Sequence, residues 1–82
     1  MDKNVERSEN RAGVRDFSNA MLDKLEAKLN DGRYGWHDPA ECSIEHLCVL
    51  LADHIRKGDM VDIGNLAMMI WNRQRAAKEP DK

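Results

Sequence analysis

Residues 43–71 read SIEHLCVLLADHIRKGDMVDIGNLAMMIW, and this stretch decides the fold. Ser43 is a good helix N-cap, and Glu45 in the first turn suits the positive end of the helix dipole. Arg56-Lys57-Gly58 then supplies a C-terminal signature: cations in the last turn, followed by a glycine at the left-handed position. Asp59 can cap a further helix from Met60 to about Ala77, with Ile63, Leu66, Ala67 and Ile70 on its inner face. The stretch therefore reads as a helical hairpin. Residues 47–52 (LCVLLA) and 66–71 (LAMMIW) are each six consecutive apolar positions. On a 3.6-residue period such a run covers the whole circumference, so neither helix is expected to stand half solvated there. Two helices of an 82-residue monomer cannot cover both runs. A second copy would, giving a four-helix core from two chains, so a homodimer is expected over a monomer with an exposed patch.

Upstream, Phe17, Met21, Leu25 and Leu29 recur every four residues, with Ala20 and Leu22 widening the stripe. This predicts a helix from about Arg15 to Asn30, stopped by Asn30-Asp31-Gly32. A loop follows from Gly32 to Cys42. Residues 1–13 are polar and unpatterned and read as a flexible arm, and residues 79–82 read as a disordered tail behind Pro80. Residues 14–78 remain as a single all-α domain of three helices, the last two forming the hairpin.

Composition narrows the function classes. Of the 82 residues, 41% are apolar and 34% charged, which is globular rather than disordered. The only aromatics are Phe17, Tyr34, Trp36 and Trp71, so the core must come from aliphatic side chains, Met and Ala. A net charge of −2 speaks against a dedicated nucleic-acid binder. No apolar run approaches the ~20 residues that span a bilayer, and Met1–Asn10 has no signal-peptide core. Cys42 and Cys48 form no C-x-x-C pair, and reduced thiols in a cytoplasm are expected.

Three stretches carry a resemblance. They are Asp16-Phe17-Ser18-Asn19-Ala20-Met21 through Lys28-Leu29; Gly35-Trp36 followed by Cys42-Ser43-Ile44-Glu45-His46-Leu47; and Gly58-Asp59-Met60-Val61-Asp62-Ile63-Gly64-Asn65-Leu66-Ala67-Met68-Met69-Ile70. Together, over residues 16–71, the set resembles the phage-type MazG-like proteins, relatives of the all-α nucleoside triphosphate pyrophosphohydrolases. The resemblance implies a helical dimer and, in active members, Mg²⁺-dependent cleavage of nucleotides to a monophosphate and pyrophosphate. Their signature is Glu-Glu-x-x-Glu on one helix and Glu-x-x-Asp on the next. Carboxylates at i, i+3 and i+4 share a helix face, so two facing helices can hold the metal, which activates the attacking water.

This chain departs from that signature. It contains no Glu-Glu-x-x-Glu; Asp53-His54 falls where the pair would begin, and the helix then ends at Gly58. The second half survives only as Asp59-Met60-Val61-Asp62, with the shorter Asp replacing Glu. Asp53, Asp59 and Asp62 are the candidate Mg²⁺ ligands. The plainer reading makes Asp59 an N-cap and Asp62 an N3 residue resembling a capping box. Asn65, one turn beyond Asp62, is a candidate ligand contact or an interhelical hydrogen bond. Trp36 either stacks on a ligand or pins its loop. Met68, Met69 and Trp71 either contact a partner or pack the end of the third helix.

His37, Cys42, His46 and Cys48 match no standard zinc spacing, and Cys48 reads better as a small core residue. Arg73, Arg75 and Lys78, like Lys3, Arg7, Arg11 and Arg15 in the arm, are basic groups that read as solvated surface. The expected function is that of a non-catalytic, MazG-like phage or prophage accessory protein binding a host or phage protein in the host cytoplasm. No catalytic residue and no cofactor are expected. A reduced Mg²⁺-dependent pyrophosphohydrolase, with a nucleotide as ligand, is the alternative. A small DNA-binding regulator ranks third, because the helix after Gly58 begins acidic and turns apolar where a recognition helix is polar and basic.

Overall fold

The computed structural model describes residues 2–78 and is built from three helices: α1 (Lys3–Asn30), α2 (Ile44–Lys57) and α3 (Met60–Lys78). The hairpin is as the sequence dictates. Ser43 Oγ accepts from His46 N–H at 3.1 Å to open α2. Gly58, at φ 77°, closes it by donating its N–H to the His54 carbonyl at 2.9 Å. Asp59 Oδ1 accepts from the N–H groups of Val61 and Asp62, both at 3.1 Å, and so opens α3 within two residues of the end of α2.

The first helix is longer than apolar periodicity predicts. It begins at Lys3, capped by Asp2, whose carboxylate accepts from Asn4 N–H at 2.8 Å. Residues 3–13 are thus helical where a flexible arm was expected. Their Lys, Glu, Arg and Ala content favours helix without any apolar stripe to reveal it. No residue of α1 is buried. The sequence-predicted tail, 79–82, lies outside the described residues.

Helix α3 is the central element: α1 and α2 both pack on it, and neither approaches the other closely. Among the described residues the buried apolar core is only Leu47 from α2 and Leu66, Met69 and Ile70 from α3. Leu25, Trp36, Cys42, Leu50, Leu51 and Met68 pack around it, half-buried. A compact chain of this length has a radius of gyration of about 12 Å. The observed 15.3 Å reflects a thin layer of helices and the projecting start of α1. No helix among the described residues is long and apolar enough to cross a membrane.

The two apolar runs divide sharply. Within 47–52 only Leu47 is buried, while Cys48, Val49 and Ala52 are exposed. Cys48 is therefore not the core residue its size suggested. Within 66–71, Leu66, Met69 and Ile70 are buried, but Ala67 lies outside the inner face assigned to it and Trp71 is 60% exposed. Trp71 instead carries the Arg75 guanidinium over its ring at 4.9 Å.

Candidate functional site

The sequence-predicted acids separate into two groups. Asp59 and Asp62 come together at the start of α3, Asp62 buried and Asp59 half-buried. Asp53 turns to the cations of its own helix, with Oδ1 2.9 Å from Arg56 and Oδ2 3.0 Å from Lys57. These two partners, Lys57 first, hold its carboxyl below the ordinary aspartate value.

Between Asp59 and Asp62 stands an ammonium group. Lys24 Nζ lies 2.7 Å from Asp59 Oδ2 and 2.9 Å from Asp62 Oδ2. Lys28, one turn along α1, reaches Asp62 Oδ1 at 2.9 Å. The i, i+4 spacing of the lysines on α1 matches the i, i+3 spacing of the aspartates on α3, so two lysines and two carboxylates interlock across the helix pair. His54 approaches from α2, its Nδ1 3.7 Å from Asp62 Oδ2, buried and without a hydrogen-bond partner.

The electrostatics follow from this geometry. The hydrogen bond from Lys24, then the N–H of Asp62, hold the Asp59 carboxyl far below its usual range. For Asp62, burial is the largest influence and pushes upward. The bonds from Lys24 and Lys28 together outweigh it, and the net displacement is downward. Lys24 is raised, through Asp59 first and Asp62 second. Both acids are therefore ionised and already paired. Their oxygens that face α1 point at ammonium hydrogens, where a Mg²⁺ site needs them free. Among the described residues no three His, Cys, Asp or Glu side chains are placed to hold a metal ion. That covers Cys42 and His46 as well as the acids. Asp59 is the N-cap predicted for it, but Asp62 does not close a capping box, because both its oxygens are taken by α1.

The remaining candidates sort by burial. Asn65 is 1% exposed and donates Nδ2–H to the Met21 carbonyl at 3.2 Å, an interhelical bond between α3 and α1, while its Oδ1 has no partner. Met69 is buried in the core and Met68 is half-buried. Trp36 is half-buried against the core, its ring edge-on to His37, so it pins the loop.

What pins that loop from the other side is Arg73, which the sequence placed on a solvated helix end. It is 8% exposed, and Nη1 donates to the carbonyls of Trp36 and Cys42, both at 2.7 Å. An arginine satisfied by two carbonyls acts as a bracket between α3 and the connection to α2. Lys24, Lys28 and Arg73 were all missed as organising residues. Their signal was spacing: Phe17, Met21, Lys24 and Lys28 follow the 4-3-4 pattern of one helix face, and Leu66, Met69, Ile70 and Arg73 follow 3-1-3. No protein-family model, no curated protein and no solved structure matches the chain.

Proposed function

We propose that this chain is a non-catalytic, MazG-like phage or prophage accessory protein that acts in the host cytoplasm by binding another protein, and does so as a homodimer. The MazG-like part of the reading rests on the sequence words between residues 16 and 71. The loss of catalysis rests on one observation: Lys24 and Lys28 occupy the carboxylates of Asp59 and Asp62 that a catalytic Mg²⁺ would need. An ammonium between two acids neutralises them and preserves the helix-to-helix geometry, but offers no Lewis acid and no activated water.

Support for the dimer comes from the surface of α3. Met60, Ala67 and Trp71 are exposed and recur at i, i+7 and i+11, one continuous stripe on the side away from the buried Met69. Ile55, in the last turn of α2, is also exposed. A stripe of this kind beside so small a core fits a second copy of the same surface, related by a twofold axis.

Two measurements test the reading. With Mg²⁺ and a panel of NTPs and dNTPs, no pyrophosphate release is expected; turnover abolished by Asp62→Asn would establish the reduced hydrolase instead. In sedimentation, the wild type is expected at twice the 9.4 kDa chain mass and Trp71→Glu at one chain mass. A monomeric wild type at high micromolar concentration removes the dimer.

A further inference from the structure

A cleft of about 350 Å³ opens between α1, the 31–43 connection and α2, on the opposite side of α3 from the Met60–Trp71 stripe. Its floor includes Met69, two residues and therefore about 160° round the helix from Ala67. The volume sits at the lower end of the range for small-molecule sites, roughly 300–1,000 Å³.

The lining is built in two zones. Leu25, Leu50 and the core residues Leu47, Leu66 and Met69 make an apolar bed. Around it stand Lys28, Arg33, His46 and the rings of Tyr34 and Trp36. Lys28 is engaged with Asp62, but the Arg33 guanidinium enters no ion pair among the described residues. Tyr34 is 78% exposed beside the cleft, and its packing does not account for an aromatic ring there. One acid, Glu41, also lines the cleft, and with Lys28 neutralised by Asp62 the free charges there are one of each sign, Arg33 and Glu41.

We propose that this cleft binds a small planar aromatic monoanion, with the ring on the apolar bed between Tyr34 and Trp36 and the anionic group on the fork of Arg33. An arginine fork matches a carboxylate or phosphate through two parallel hydrogen bonds, and an aromatic wall holds a flat body at low entropic cost. Glu41 disfavours ligands carrying a second negative charge at the rim.

The test uses ¹⁵N-labelled full chain titrated with 2-naphthoate, its uncharged analogue 2-naphthalenemethanol, and 2-naphthyl phosphate. Trp36 lines the cleft and Trp71 does not, so their two indole N–H signals report separately. Saturable shifts are expected for 2-naphthoate at Trp36 and at the amides of Arg33, Tyr34 and His46, with Trp71 unmoved and a dissociation constant on the order of 1 mM. The alcohol is expected to bind at least about tenfold more weakly. Arg33→Glu, at an exposed loop position, should give an undisturbed free spectrum and lose about tenfold in affinity. Tyr34→Ala is the second variant and should weaken both ligands. 2-Naphthyl phosphate, largely a dianion at neutral pH, is expected to bind more weakly than 2-naphthoate; equal or tighter binding would overturn the preference for a single negative charge. The proposal is overturned if 2-naphthoate shifts nothing at 10 mM, an order of magnitude above the expected constant. It also falls if the alcohol binds equally well, if Trp71 responds in parallel, or if Arg33→Glu binds as the wild type does. The dimer test reads the other face of α3, so either result can fail without the other.

Discussion

Gly64 sits mid-helix in α3, where a glycine costs about 1 kcal/mol relative to alanine. Replacing it would stabilise an isolated α3 by that amount. The structure predicts the opposite sign. A Cβ at position 64 would stand 2.5 Å from Phe17 Cε2, 2.6 Å from Cζ and 3.5 Å from Met21 Sδ. Carbon atoms rest at about 3.5–4.0 Å, so the Phe17 ring must retreat by about 1 Å. The ring is 39% exposed and can move outward, which moderates the strain but lifts it off α3. A phenylalanine buries 150–250 Å² when fully covered; about 100–150 Å² at this exposure corresponds to roughly 3 kcal/mol at 25 cal/mol/Å². Losing half of that contact, about 1.5 kcal/mol, less the ~1 kcal/mol helix-propensity gain, leaves Gly64→Ala destabilised by about 0.5 kcal/mol. For a domain of this size the midpoint should fall by about 2–4 °C. Urea and thermal unfolding followed by circular dichroism measure it. The same substitution in a Phe17→Ala background removes the clash and is expected to stabilise by about 1 kcal/mol, giving the cycle a coupling energy of opposite sign to the single change. If Gly64→Ala stabilises the wild type by that amount, the ring of Phe17 does not lie over Gly64 and the docking of α1 is wrong.

Arg73→Met leaves the carbonyls of Trp36 and Cys42 without their shared donor; part of the loss is recovered by water at the loop, so about 2 kcal/mol is expected, with Trp36 emission shifting to the red. Emission and stability unchanged from wild type would remove the bracket. Asp59 and Asp62 titrate below the ordinary carboxylate value, so the unfolded chain binds more protons near its own value of ~3.9. Their contribution is complete above about pH 4 and is lost as the pH falls through the folded values; a urea midpoint constant from pH 5 to pH 2 contradicts this. Lys24 works from the alkaline side: its raised value means its contribution is full below about pH 10.4 and disappears as the pH climbs through the folded value. Lys24→Glu with Lys28→Glu places four carboxylates at the α1–α3 contact. This double variant should be less stable without metal and regain stability on adding Mn²⁺, whereas the wild type should not respond; a Mn²⁺-dependent midpoint in the wild type would show that the lysines do not block the site.

The hairpin was legible because its punctuation is local. Ser43, Gly58 and Asp59 each act on backbone groups within four residues, and the structure uses each of them as a cap. The inner face of α1 was less legible for a geometric reason. A strict four-residue step advances about 40° round a helix each time, so Phe17 and Leu29 lie about 120° apart. Leu29 is accordingly exposed, and the true contact face turns through Met21 to Lys24 and Lys28. Reading only apolar residues hid the two lysines that continue the face. Arg73 was misplaced by the same habit: a cation near a helix end reads as solvated until its position one turn beyond Met69 and Ile70 is counted. The helical residues 3–13 show a third limit, since propensity without amphipathicity leaves no periodic mark.

The acids could be found by motif, but what they do depends on the groups opposite, which come from a helix more than thirty positions earlier in the chain. A carboxylate pair facing water, a metal or an ammonium has the same sequence. Only the register of α1 against α3 distinguishes them, and that register is set by Gly64, which lets the Phe17 ring lie close to α3, and by the Asn65 bond to the Met21 carbonyl. A shift of α1 by one turn would carry Lys24 to the place of Lys28 and leave Asp59 without its ammonium partner. The lysine–aspartate lattice therefore does two things with one set of contacts: it fixes how α1 docks, and it consumes the oxygens on which divalent-metal chemistry at the start of α3 would depend.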